Sequence, residues 1–294
     1  MDREPFLLFP LHPLDPITQS DPLLPATPAA PAPATESNHA VVDLLDVVLV
    51  FLAGFFSIAL CSILAAVVVF SRVGGRHIAT RDLANDALIV IPAQFVAYVL
   101  VVAFMVFIVG ARHNSNFLRG IQWNMPHGTL ALMSLGGGAL LALGSQISSG
   151  LLHRWIPKSL PIDQYFKGPA SGYLLAAFGV LIAPFVEEFF FRGFLYPALA
   201  RHAGREIAVI ATAAAFSLLH LEQLALAWAP LLILFAVGVV LTLVRARTNS
   251  VAICVLMHMG YNFSLFTMVF IATQGFRHMD KAALDSLRAA LILW

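Results

Sequence analysis

Residues 44–71 read LLDVVLVFLAGFFSIALCSILAAVVVFS, and after Asp46 no charged side chain appears until Arg72. A helix that crosses a bilayer needs about 20 predominantly apolar residues. This stretch exceeds that length and contains no proline, so it predicts a membrane-spanning helix that opens after Asp43 and Asp46 and ends at Arg72. Similar runs recur at 87–110, 128–152, 172–199, 206–224, 227–244 and 250–273. The expected fold class is therefore all-α: a polytopic transmembrane helix bundle of about seven to eight spans around a buried polar cavity.

Composition agrees with that pattern. The 294 residues are 60% hydrophobic and 11% charged, with a mean hydropathy of +0.85. Soluble domains carry about 25% charged residues. A chain this apolar cannot cover itself with a polar surface and needs lipid as its solvent. The expectation is an integral, multi-pass membrane protein with membrane lipid as a partner. The formal net charge of +1 and the lack of a Lys/Arg run exclude a nucleic-acid partner. Cys61 and Cys254 lie in apolar runs and read as small packing residues.

Composition also divides the chain. Residues 1–40, with LLPATPAAPAPATES at 23–37, read as a disordered Pro/Ala-rich arm. Residues 41–160 hold the N-terminal transmembrane helices. The third of these runs carries Gly136, Gly137, Gly138 and Gly144, which place it inside the bundle, because small residues let helices approach closely in lipid. Residues 161–275 form the expected catalytic core, and 276–294 an amphipathic tail. Arg72, Arg76 and Arg81 after the first run, and Arg154, Lys158 and Lys167 after the third, favour those loops as cytoplasmic. Arg201, Arg205, Arg245 and Arg247, read as loop residues on the other side, partly offset that bias.

Ionisable groups at membrane depth are expensive and mark function, and here they cluster in the C-terminal half. Residues 183–199 read APFVEEFFFRGFLYPAL. Glu188 and Arg192 are four apart and share a helical face, so they can pair. Glu187 is rotated from Glu188 by about 100° and needs another partner. Pro184, one turn earlier, removes a backbone hydrogen bond and favours a local kink. In the fifth run Phe216 and His220 are four apart, so the ring can wall the imidazole. Glu222, two residues on, reads as an interfacial carboxylate. In the seventh run His258 and Asn262 share a face, and Gly260 between them allows close backbone approach. Taken singly, each group also fits simple helix packing. Together they supply what amide hydrolysis in a dry site requires: a carboxylate base, a histidine to share its water, and donors for an oxyanion.

The three patterns, Glu187-Glu188-x-x-x-Arg192, Phe216-x-x-x-His220 and His258-x-x-x-Asn262, resemble in order and spacing the motifs of the CPBP family, the type 2 CAAX prenyl proteases (Rce1-like). The resemblance covers about residues 172–270 and implies an intramembrane endopeptidase. In it Glu187 activates water, His220 helps to hold that water, and His258 and Asn262 stabilise the oxyanion. Glu188, Arg192 and Phe216 shape the site. The implied substrate is a membrane-associated protein or lipidated peptide, of which a prenylated CAAX protein is the family's example. The glutamate–histidine mechanism needs no metal, and no cofactor is expected. Were zinc bound, Glu187, His220 and His258 would be its ligands. Two other classes use intramembrane Glu and His: a transporter or proton-coupled channel, which would show repeated halves, and a catalytically silent binding protein.

Overall fold

The computed structural model describes residues 41–73, 86–158 and 160–278. The regular structure among them is helical. The long elements are α1 (Leu44–Val73), α2 (Ala87–His113), a single turn α3 (Phe117–Gly120) and α4 (Gly128–Leu151). There follow α5 (Pro169–Leu181), α6 (Ala183–Glu188), a π-helical segment (Phe189–Leu195) and α7 (Tyr196–Ala203). The last are α8 (Arg205–Leu218), α9 (Trp228–Thr248) and α10 (Val251–Ala272). The arm at 1–40 and the tail from Asp280 lie outside the described residues.

Six stretches are long and apolar enough to cross a membrane: Leu44–Ser71, Ala87–His113, Gly128–Leu151, Pro169–Ala203, Trp228–Thr248 and Val251–Ala272. The protein is a polytopic helical membrane protein. The run at 206–224 departs from expectation. Only Arg205–Leu218 is helical, a rise of about 21 Å, shorter than a bilayer core. The chain then continues through turns in which Ala225 and Leu226 take positive φ. Non-helical backbone survives at membrane depth only where protein or a polar cavity shields it, and Leu219, His220, Glu222 and Gln223 line such a cavity.

Helix starts follow the side chains available to cap them. Asp43 and Asp46 cap α1 reciprocally: each main-chain N–H donates to the other's carboxylate, at 2.7 and 2.9 Å, as in a capping box. Asp86 accepts from Leu88 N at the start of α2, and Ser250 accepts from Ile253 N at the start of α10. Arg112 and His113 at the end of α2 pair with Asp46, and Arg112 also with Asp43, which ties the ends of α1 and α2 together.

The glycines of α4 serve one close contact. A Cβ on Gly138 would collide with the Met257 carbonyl, and one on Gly260 with the Leu135 carbonyl, so α4 and α10 meet backbone to backbone. The rest of α4 is not inside the bundle as its small residues suggested. Leu132 and Leu140 are each 71% exposed, facing lipid. Between 17% and 22% of the most apolar stretch of each of the first three spans is buried, against 50–56% for the last three, so most of the interior comes from the C-terminal half.

Candidate active site

The fourth span is broken where its sequence demands. Pro184 has no N–H to continue α5, and the helix interrupts at Ile182 before restarting as α6. Downstream, Tyr196 donates its N–H to the Phe191 carbonyl, five residues back. That π-type bond consumes the donor that would have served Arg192, and the next residue, Pro197, has none. The Arg192 carbonyl is instead satisfied from outside, by Arg245 Nε at 2.9 Å. Arg245 also donates to the Gln122 side chain in the α3–α4 connection, and the Gln122 carbonyl accepts from Val251 N at 3.1 Å. Sequence reading placed Arg245 in a loop. α9 runs on to Thr248, and Arg245 is 1% exposed.

Glu188 and Arg192 form the expected i,i+4 pair. Both are fully buried, with Nη1 to Oε1 at 2.8 Å. Arg192 Nη2 donates to the Gly238 carbonyl of α9 at 3.1 Å, and the guanidinium lies 4.8 Å from the centre of the Phe216 ring. Phe216 thus packs between this cation and two histidines, with ring centres 5.1 Å from His220 and 6.0 Å from His258.

Glu188 has a second partner that sequence spacing did not reveal. His258 Nδ1 lies 2.8 Å from Oε1. A carboxylate held by an arginine only accepts, so Nδ1 carries the hydrogen and Nε2 is turned outward. That nitrogen is 3.9 Å from Glu187 Oε2, beyond a direct hydrogen bond, a gap that a bridging water can span. His220, just past the end of α8, is oriented the same way: Nδ1 meets the Phe216 carbonyl at 2.8 Å, which leaves Nε2 open. Asn262 donates one Nδ2 hydrogen to the Gly179 carbonyl at 2.7 Å. Its Oδ1 is buried with no hydrogen-bond partner.

Glu187, His220, His258, Asn262 and Phe216 line one cavity of about 880 Å³. Its walls come from α1, α2, α5 and the π-helical segment, including Ile58, Phe70, Leu175, Phe178 and Phe191. Glu188 and Arg192 stand behind the wall rather than in it. Two further polar residues face the cavity from α2, Gln94 and Tyr98. They are four apart in an otherwise apolar run, a signal present in the sequence and not drawn on.

The residues suggested for zinc do not fit a metal centre. Among the described residues, the group of three acidic or histidine side chains whose ligand atoms lie within 4.8 Å of one another is Asp43, Asp46 and His113; Glu187, His220 and His258 do not converge that closely. At Asp43 and Asp46 the positive charge is already supplied by Arg112.

A family model described as Type II CAAX prenyl endopeptidase Rce1-like matches residues 169–264. The match opens at the first residue of α5 and closes within α10, so it contains all the residues of the three motifs and none of α1–α4. No curated protein and no solved structure matches the chain.

Proposed function

We propose, from the similarity of residues 169–264 to the Rce1-like type II CAAX prenyl endopeptidases, that the protein hydrolyses a peptide bond of a membrane-associated, lipid-modified substrate by glutamate-activated water. One observation carries this reading. A carboxylate, two imidazoles and an amide from three separate segments face one apolar-walled cavity.

In the proposed reaction Glu187 takes a proton from a water that His220 Nε2 also holds, and the oxygen attacks the scissile carbonyl carbon. The C–N bond then breaks, the proton on Glu187 passes to the leaving nitrogen, and a carboxylic acid and an amine remain, the acid then giving its proton to the amine or to water. His258 serves the oxyanion through Nε2. Because Nδ1 already donates to Glu188, the ring must carry both hydrogens to do so, with the Glu188 carboxylate, shared with Arg192, as its anion. Glu188 is thus tied to the chemistry as well as to the fold. Asn262 donates its second amide hydrogen, the first being held by Gly179. The apolar walls raise the value of each of these interactions by excluding water.

The test is cleavage of a quenched-fluorescence peptide ending in an S-farnesylated CAAX sequence by the full chain purified in detergent. Glu187→Gln keeps the side chain's shape and removes the base. Turnover falls by about 10²- to 10⁴-fold with helicity and thermal midpoint unchanged. Turnover at the wild-type rate removes Glu187 from the mechanism.

A further inference from the structure

The cavity has a second polar wall, on a helix outside the family match. Gln94 and Tyr98 lie one turn apart on α2 and both face the cavity. Gln94 Nε2 donates to Tyr98 Oη at 3.1 Å. The Tyr98 ring is fixed against Phe178 of α5, with centroids 5.4 Å apart, and Glu187 lines the same cavity.

This pairing leaves a defined set of unused groups. A phenol that accepts one hydrogen bond still has its own hydrogen to give, and a primary amide that has given one hydrogen keeps its carbonyl oxygen as an acceptor. Among the described residues the bond between them is the one side-chain hydrogen bond that either makes. One donor and one acceptor, side by side and held by the same bond, are the complement of a peptide unit, which offers one C=O and one N–H. In a cavity with mostly apolar walls, main-chain amides left unsatisfied are costly.

We propose that Gln94 and Tyr98 form a main-chain binding strip: Tyr98 Oη donates to a substrate carbonyl and Gln94 Oε1 accepts a substrate N–H, holding an extended peptide across the cavity from Glu187. The substrate class follows: an extended, main-chain-read segment, not a helix, since a helix has no free amides to offer along its length. The inference rests on the protease reading for its position beside the scissile bond.

The experiment uses the same farnesylated peptide in two formats: turnover by the full chain, and fluorescence anisotropy of its binding to the Glu187→Gln form. Tyr98→Phe keeps the ring on Phe178 and removes only the oxygen; Gln94→Leu removes donor and acceptor together. Both are expected to lower kcat/KM about tenfold, with the loss carried by KM, and to weaken binding to the Glu187→Gln form by the same factor. An N-methylated peptide that lacks the relevant N–H binds wild type and Gln94→Leu equally. A loss carried by kcat, with unchanged binding, overturns the strip and leaves Tyr98 as a positioning residue for Glu187. Unchanged kinetics with cleavage intact overturns the inference alone. Tyr98-dependent binding without cleavage by wild type overturns the protease reading alone, and neither binding nor cleavage overturns both.

Discussion

Replacing Arg192 with methionine tests how the site is held together. Methionine keeps much of the side chain's length and apolar volume, so the change removes charge and hydrogen bonds more than packing. Four contacts disappear: the 2.8 Å bond to Glu188, the 3.1 Å bond to the Gly238 carbonyl and the cation–ring contacts to Phe216 at 4.8 Å and Phe191 at 5.8 Å. The larger effect is on what stays behind. Glu188 is fully buried, and its Oε2 already has no hydrogen-bond partner. Its remaining partner is His258. Removing one member of a buried ion pair costs about 3–5 kcal/mol, mostly because the other charge is left uncompensated. The expected result is a loss of that size in equilibrium unfolding of the detergent-solubilised protein, with a fall in yield and in turnover. The double variant Arg192→Met, Glu188→Gln separates the causes. If the orphaned carboxylate dominates, the double variant recovers most of the stability while activity stays low, since His258 loses its anion. A cost below about 1 kcal/mol for Arg192→Met, the range of exposed pairs, would refute the reasoning.

Three further outcomes follow from single features of the structure. Gly138→Ala places a methyl against the Met257 carbonyl and costs about 1–3 kcal/mol in thermal or chemical unfolding, whereas Gly136→Ala, with nothing within 4 Å of the new Cβ, stays within about 0.5 kcal/mol. Burial alone would raise the Asp43 carboxyl, but the Asp46 N–H and the Arg112 guanidinium outweigh it and hold it below the usual carboxylate range. Its contribution is therefore complete above the unfolded value of about 3.9 and lost as pH falls through the lowered folded value, so Asp43→Asn flattens the acid limb of a stability–pH profile and leaves pH 7–8 slopes alone. Turnover survives prolonged chelation, because the cavity's Glu and His side chains do not converge as metal ligands do; loss on chelation with specific rescue by zinc would reverse that assignment.

Much of this was readable from local spacing. The span at 44–71 needed only its length and its missing charges. Glu188 with Arg192, and Phe216 with His220, were legible because partners four apart on a helix meet whatever the tertiary fold. The bond from His258 to Glu188 joins residues 70 apart, and no local rule reaches it. The π-helical segment was hidden for a different reason: its wider turn leaves the Arg192 carbonyl without a main-chain donor, and the replacement donor, Arg245, arrives from α9. Arg245 itself was misplaced because a charge near the end of an apolar run normally marks a loop, and only the packed structure shows it turned inward. The shortened α8 reflects the polar sequence His220–Gln223, which lines a cavity instead of continuing a lipid-facing helix. The tight face of α4 was foreseen from its glycines, but its lipid-exposed faces were not, since small residues report a close contact without saying how many sides it covers.

The central claim is that Glu187 and His258 act together on one substrate carbonyl inside one pocket. The most direct measurement is kcat/KM for Glu187→Gln, His258→Ala and the double variant on the farnesylated peptide, each with its folding verified. Residues that work as a unit are strongly non-additive, so the double variant is expected to be about as impaired as the worse single one. Losses that multiply, as for independent sites, would contradict a shared pocket chemistry and leave a membrane helical bundle with buried polar contacts.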